Sequence, residues 1–200
     1  ISFYTFQIIS YIVDCYWENI KVQKNYLKFL MYVSMFPQLV AGPIVRYSVI
    51  EKEIDKRSTT LNDISDGLIR FSIGLGKKVI IANNLSSIVD TFFSNGGIEY
   101  CSTVASWYAV VCYAMQVYFD FSGYSDMAIG LGRILGFHFD ENFKHPFLCR
   151  DITEFWQRWH ISLGSFFRDY LLYLPIFGRR NQYFNLFLVW FSTGLWHGAS

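Results

Sequence analysis

The chain has 200 residues, of which 52% are hydrophobic, 20% are aromatic and only 16% are charged. A soluble domain of average composition carries about 25% charged residues, and an excess of aromatic side chains is typical of proteins with lipid-facing surfaces. The formal net charge of +1 argues against a nucleic-acid partner. The four cysteines are scattered without a C-x-x-C pair, so we expect neither a disulfide framework nor a bound metal.

The first part of the chain predicts membrane helices, one of them interrupted. Residues 1–17 are apolar apart from one aspartate and are interpreted as the end of a membrane helix, since about 20 residues are needed to span a bilayer. Residues 29–45 carry no charge but contain Pro37 and Pro43. Because proline removes a backbone donor and clashes with the preceding turn, we expect a broken or re-entrant helix here.

The middle of the chain alternates polar and apolar segments. Mixed charges over residues 46–66 predict an exposed loop, and residues 67–93 predict two short helices that meet at a pair of lysines. Residues 100–119 carry no charge, and this length predicts a membrane-spanning helix. The glycine-rich segment 120–139 is expected to be irregular or kinked.

After a polar loop, the last part of the chain predicts two more helices. Asp151 and Glu154 have the spacing of a capping box at the start of a helix that continues past His160. At 100° per residue this helix is amphipathic, with His160 on its apolar face. Residues 183–196 predict a final apolar helix that carries His197 at its end.

Together these segments predict an all-α, polytopic membrane protein with several helices, some of them broken or re-entrant. No internal repeat or second domain is visible, so residues 1–200 are expected to form one membrane-embedded domain. The sequence starts at Ile1 and ends at Ser200 within apolar patterns. We therefore expect the chain to be an internal segment of a longer protein, incomplete at both ends.

Two histidines lie in sequence that is otherwise apolar enough to enter a bilayer. Ionisable groups in such surroundings are expensive and often face a cavity or a partner. An imidazole can take up and return a proton near neutral pH, which a hydroxyl group needs when it attacks an acyl group. On the local pattern alone, the alternatives are a hydrogen-bonded core histidine for His197 and an interfacial histidine beside two tryptophans for His160.

Three charged residues are weaker candidates for a ligand-binding role. Arg158 and Arg168 have the chemistry to hold a phosphate or a carboxylate, although Arg158 could equally pair with an acidic residue of its own helix. Asp126 could orient a histidine or bind a cation. A structural polar network is an equally good interpretation of that aspartate.

The chain also contains five motifs, which are FPQLVAGPIVRY (36–47), YFDFSGYSDMAIGLG (118–132), ENFKHPF (141–147), ITEFWQRWHISLGSFFRDYL (152–171) and TGLWHGAS (193–200). In this order they resemble the membrane-bound O-acyltransferase family, and most closely its bacterial branch for alginate O-acetylation and teichoic-acid D-alanylation. The likeness covers nearly the whole chain. It departs at residues 173–178, which are YLPIFG where the family pattern would be YIPLGG.

The resemblance implies a ring of membrane helices around a thinned centre, where a cytoplasmic acyl donor meets an acceptor presented from outside. His197 matches the catalytic histidine of the family, and His160 matches a second histidine on the donor side. The implied activity moves acetyl or another small acyl group to an extracytoplasmic polysaccharide. Acetyl-CoA or another acyl thioester would be a substrate, with no tightly bound cofactor.

The resemblance further implies a multi-pass protein of the cytoplasmic membrane, surrounded by lipid and assisted by a separate extracytoplasmic acetylase-like protein. Two other classes of function remain open at this point. A transporter or channel also needs broken helices and intramembrane charges, although it often shows an inverted repeat. A scaffold that only tethers an extracellular acetylase would keep the helices and tolerate loss of both histidines.

Overall fold

The computed structural model describes residues 3–38, 42–172 and 181–198, and these residues form helices and loops without a strand. The α-helices in chain order are α1 (Phe3–Tyr16), α2 (Tyr26–Val33), α3 (Tyr47–Asp55), α4 (Leu61–Gly76), α5 (Asn83–Phe93), α6 (Thr103–Ile134), α7 (Ile152–Arg158), α8 (Ile161–Phe167) and α9 (Gln182–His197). Short 3-10 helices cover Phe36–Gln38, Ser94–Tyr100 and Pro146–Leu148, and π-helical turns cover Lys77–Ala82 and Arg168–Leu172. The all-α prediction is confirmed for this part of the chain.

The chain folds into two compact units. One consists of Ile1–Arg57 and Phe137–Ser200, and we call it the histidine unit because it contains His160. The other consists of Ser58–Gly136, and we call it the hairpin unit because α4 and α6 are its main elements. That residues 1–200 form a single domain stays a prediction.

The core of the histidine unit is largely aromatic. Phe6 of α1 packs against Phe166 and Phe167 of α8, with ring centroids 4.7 and 5.8 Å apart. Ile44, Leu163 and Tyr170 complete this buried cluster. Because burying one such side chain stabilises a fold by about 1.5–3 kcal/mol, the cluster fixes α1 against α8. Tyr170, in the π-helical turn that follows α8, adds a polar contact to α1 by donating its hydroxyl to the buried carboxylate of Asp14 at 2.7 Å.

The hairpin unit is organised around a close antiparallel contact between α4 and α6. A Cβ atom on Gly74 would lie 2.6 Å from the carbonyl oxygen of Gly123, and one on Gly67 would lie 2.7 Å from that of Gly130. The two glycines of each helix are seven residues apart, which is about two turns and returns to the same face. The backbones therefore touch at two points, and neither point has room for a side chain.

Two predictions from local sequence are wrong. Segment 120–139 is not irregular, because α6 runs through it to Ile134 and its glycines serve the contact with α4. Residues 46–66 are not an exposed loop, because they contain α3 and the start of α4. The apolar residues of α3 (Tyr47, Ile50 and Ile54) recur at helical spacing and are buried.

The predicted helix junctions agree better with the structure. A π-helical turn begins at the paired lysines and joins α4 to α5, so the three helical segments follow one another without a loop between them. The segment over 29–45 is broken as predicted, since α2 ends at Val33 and a 3-10 turn follows. The helix predicted over 100–119 begins at Thr103 and has 32 residues, but no helix within the described ranges is both long and apolar enough to cross a bilayer.

Candidate active site

His160 lies at a chain reversal between two short helices. α7 ends at Arg158, Trp159 is extended, and His160 is left-handed with φ 46° and ψ 54° before α8 begins. The prediction of one amphipathic helix through His160 is therefore wrong. Histidine is one of the few non-glycine residues enriched in the left-handed region, so the residue suits this reversal. The His160 side chain is 6% exposed.

The start of α7 confirms half of the predicted capping box. Asp151 accepts the backbone N–H of Glu154 at 2.7 Å, as expected for an N-cap. The Glu154 carboxylate accepts the N–H of Arg150 at 2.7 Å instead of returning to Asp151, and it also pairs with Arg158. Arg158 thus pairs with an acidic residue of its own helix, one of the two alternatives from the sequence.

A buried asparagine contacts the ring of His160. Asn142 lies on the loop before α7, is 0% exposed, and places its Oδ1 3.2 Å from His160 Nδ1. The same oxygen accepts the backbone N–H of Ser162 at 3.2 Å and the Ser162 hydroxyl at 2.9 Å. The Ser162 Oγ in turn accepts the N–H of Ile44 at 3.0 Å. Sequence reasoning missed Asn142 and Ser162, although both lie inside the motifs that carry the family resemblance.

These contacts determine which nitrogen of His160 carries a proton in the neutral ring. A backbone N–H can only donate, so the Asn142 atom that meets the Ser162 N–H must be the amide oxygen. An amide oxygen can only accept, so His160 Nδ1 is the donor. In the neutral ring Nε2 then carries the lone pair. His160 is therefore arranged to accept a proton or a hydrogen bond through Nε2.

Two backbone hydrogen bonds hold the asparagine loop against the reversal. The N–H of Ile161 donates to the Asn142 carbonyl at 2.9 Å, and the N–H of Lys144 donates to the Arg158 carbonyl at 3.0 Å. Between these bonds the Phe143 ring meets the Trp159 ring edge-on, with centroids 5.1 Å apart. Hydrogen bonds to both its backbone and its side chain thus hold Asn142 in place.

A cavity of about 530 Å³ lies beside this arrangement, within the histidine unit. Its volume is in the usual range for small-molecule sites, about 300–1,000 Å³. Ile161 and Ser162 contribute to its wall directly after His160. The remaining lining combines cations, carboxylates, hydroxyls and apolar groups, from Pro43, Ile44, Val45, Arg46, Ser48, Val49, Phe139, Asp140, Glu141, Lys144, Ser165, Arg168 and Asp169.

Arg168, one of the predicted ligand-binding residues, lines this cavity together with Arg46 and Asp169. The Asp169 carboxylate meets Arg168 Nε and Arg46 Nη1, each at 2.9 Å. Partial burial would raise the pKa of the Asp169 carboxyl, but the hydrogen bonds from Arg168 and Arg46 outweigh burial and hold the pKa below its ordinary value. Asp169 is therefore ionised at neutral pH, and the wall of the cavity carries both negative and positive charge.

Asp126 belongs to the hairpin unit, where it is part of an ion-pair network. Its carboxylate lies 2.5 Å from Arg70 Nη2 and 2.5 Å from Lys77 Nζ, and its side chain is 8% exposed. Asp120 forms a second pair with Lys78 in the same unit, and the Asp120 side chain is 30% exposed. For Asp126 the structure therefore describes a structural polar network, which was one of the alternatives from the sequence.

We expect Asp126→Asn to destabilise the protein by about 1–3 kcal/mol, because it leaves two partly buried cations without their carboxylate. The more exposed Asp120→Asn is the control, and its expected loss is below about 1 kcal/mol. Thermal unfolding of the whole protein in detergent measures both. If Asp126→Asn kept normal stability but bound the donor that the resemblance implies, an acyl thioester, about tenfold more weakly, Asp126 would instead be a ligand-binding residue.

His197 is the last residue of α9, and its side chain lies outside the part of the structure that is described. α9 itself confirms the predicted final apolar helix, with Asn181 accepting the N–H of Phe184 as its N-cap. Residues 173–178, where the sequence departs from the family pattern, are also outside the described residues. The assignment of His197 as catalytic stays a prediction.

Comparison with known proteins identifies the class. The model of the MBOAT, membrane-bound O-acyltransferase family, matches residues 2–200, and the chain belongs to this family. The chain is 46% identical to the probable alginate O-acetylase AlgI of Pseudomonas putida, over 100% of this chain and 41% of that protein. It is 39% identical to the peptidoglycan O-acetyltransferase of Helicobacter pylori, over 100% of this chain and 43% of that protein.

A more distant relative is the teichoic acid D-alanyltransferase of Bacillus subtilis, 29% identical over 100% of this chain and 53% of that protein. The predicted family is therefore confirmed, and the relatives include both activities of the predicted bacterial branch. The chain spans roughly two fifths to one half of the length of these curated relatives.

Proposed function

We propose that the whole protein is an O-acyltransferase that moves acetyl, or another small acyl group, from a cytoplasmic thioester donor toward an extracytoplasmic polysaccharide or cell-wall polymer. The observation that carries the proposal is the buried His160, whose Nε2 is the accepting nitrogen, beside a cavity of about 530 Å³. Family membership and the names of the relatives support the same chemistry.

In the proposed step, the hydroxyl oxygen of the acceptor attacks the carbonyl carbon of the thioester. A carbon–oxygen ester bond forms and the carbon–sulfur bond breaks. The hydroxyl proton passes to a histidine and from there to the departing thiolate. His197 acts as the general base or proton shuttle, and His160 positions or polarises groups on the donor side.

We further propose that the donor is acetyl-CoA or a related acyl thioester, used as a substrate. Arg168 and Arg46 line the cavity and have the chemistry to hold the anionic part of such a donor. The whole protein would be polytopic in the cytoplasmic membrane, with broken helices around the site. A separate extracytoplasmic acetylase-like protein would complete the transfer to the polymer.

The test uses the whole protein in membranes with its native partners. Radiolabelled acetyl-CoA is supplied, and label in the polymer is compared between wild type and His197→Ala at matched protein levels. We expect the variant to lose about 10²–10⁴-fold in transfer, the usual contribution of general acid–base catalysis, while it stays inserted.

The outcomes separate this proposal from its rivals. Transfer that persists within about tenfold in a well-folded His197→Ala protein would make His197 structural. Label that crosses the membrane without entering the polymer would favour a transporter. Transfer that survives loss of both histidines would favour a scaffold for another acetylase.

A further inference from the structure

We propose that Asn142 is a positioning residue for His160, holding it in the Nδ1–H tautomer so that Nε2 is the nitrogen that accepts in the reaction. This inference rests on the proposed function, because it assigns a role to a residue acting through a proposed site histidine. Asn142 lies 18 positions before His160 in the chain and meets its ring at 3.2 Å.

The geometry fits a positioning role. The Asn142 oxygen accepts from Ser162 N–H at 3.2 Å and from Ser162 Oγ at 2.9 Å, so the amide is oriented even without the histidine. A ring that donates to such a fixed acceptor loses its choice of tautomer and its rotation about χ2. A wrong tautomer removes the accepting nitrogen from the reaction, and hydrogen-bond partners that fix the ring of a functional histidine are typically worth about 10–100-fold in activity.

The structure also suggests a substitution that tests tautomer control directly. Asn142→Asp keeps an oxygen acceptor for the three donors that meet the amide. It removes Nδ2, which has no acceptor among the described residues, so no described hydrogen bond is lost. The new carboxylate adds a negative charge next to the imidazole and favours the protonated ring, which cannot accept at Nε2.

We therefore expect transfer by Asn142→Asp to become more acid-sensitive. The ratio of the rate at about pH 6 to the rate at about pH 8 should fall by about tenfold relative to wild type. The charged or titratable residues on the elements around His160 include Asp140, Glu141, Lys144, His145, Asp151, Glu154, Arg158, Arg46, Arg168 and Asp169. They are the same in both proteins, so they do not account for a difference between the two pH profiles.

Asn25→Asp is the matched control. Asn25 is the N-cap of α2, and its side-chain oxygen accepts the N–H groups of Leu27 at 3.0 Å and Lys28 at 3.3 Å, so aspartate keeps both hydrogen bonds. It introduces a carboxylate at another place in the same unit, and its ratio of rates at low and high pH should equal that of wild type. An equal shift in both variants, or no shift in a well-folded Asn142→Asp protein, overturns the inference.

Asn142→Ala decides the question if the aspartate variant does not fold. With acetyl-CoA as the donor, kcat should fall by about 10–100-fold while the KM stays within about twofold of wild type. A kcat within about twofold of wild type overturns the inference. If wild type itself transfers no acetyl group, the proposed function fails and the inference fails with it. If wild type is active, these variants test the role of Asn142 alone.

Discussion

The substitution His160→Asn is expected to remove most of the acetyl-transfer activity without unfolding the protein. His160→Asn places a side-chain amide nitrogen where Nδ1 was, so the hydrogen bond to Asn142 Oδ1 can be kept. Asparagine also tolerates the left-handed backbone of this position. Only the Nε2 end of the ring is lost. Acetyl transfer should fall by about 10²–10³-fold, the usual cost of losing one group that polarises a reacting atom, measured with labelled acetyl-CoA in membranes.

His160→Ala is the companion variant that separates chemistry from folding. Alanine loses the hydrogen bond to Asn142 and is less suited to φ 46°, so this variant should be less stable than His160→Asn. Both variants lack Nε2 and should be about equally inactive. Full transfer by His160→Asn, at a normal level of inserted protein, would show that His160 is a structural residue.

The second large effect is expected at the contact between α4 and α6. The double variant Gly67→Ala Gly74→Ala should destabilise the protein by about 2–6 kcal/mol, since overpacking typically costs about 1–3 kcal/mol at each site. The added methyl groups would meet backbone atoms, among them the carbonyl oxygens of Gly130 and Gly123. Backbone atoms cannot rotate away, so the helices must separate. Thermal unfolding in detergent measures the loss.

Gly76→Ala is the control variant, because it makes the same glycine-to-alanine change in α4. A Cβ there meets nothing within 4 Å. This variant should be neutral or stabilise the protein by up to about 1 kcal/mol, because alanine has the higher helix propensity. Equal destabilisation by Gly76→Ala and by the double variant would contradict the close-contact interpretation of the α4–α6 pair.

The sequence predicted best the features that have local causes. The broken segment over 29–45 follows from its prolines, and the start of α7 follows from the Asp151 cap. The turn at Lys77–Ala82 coincides with the lysine pair that interrupts an apolar pattern. The helix α3 was missed even though Tyr47, Ile50 and Ile54 have helical spacing, because the mixed charges between them suggested a loop.

The features that were predicted wrongly depend on distant parts of the chain. In the sequence, Gly123 and Gly130 of α6 indicate a broken helix. Their packing against Gly74 and Gly67 of α4 is visible only in the structure. The left-handed His160 interrupts a good amphipathic pattern. Asn142 contacts its ring, and Lys144 accommodates the preceding turn by donating to the Arg158 carbonyl; periodicity does not report the positions of these two loop residues. The sequence therefore predicted the histidine of the candidate site but missed Asn142, the residue that orients it.

The measurement that tests the central claim most directly is formation of the acetyl ester itself. Alkali-labile acetyl groups on the polymer would be quantified for wild type, His160→Asn, His197→Ala and the double variant, at matched levels of the whole protein. Wild type should form ester. Each single variant should lose about 10²–10⁴-fold, and the double variant little more, because residues that act in one step are not additive. Ester formation by the double variant at the wild-type rate would contradict the account.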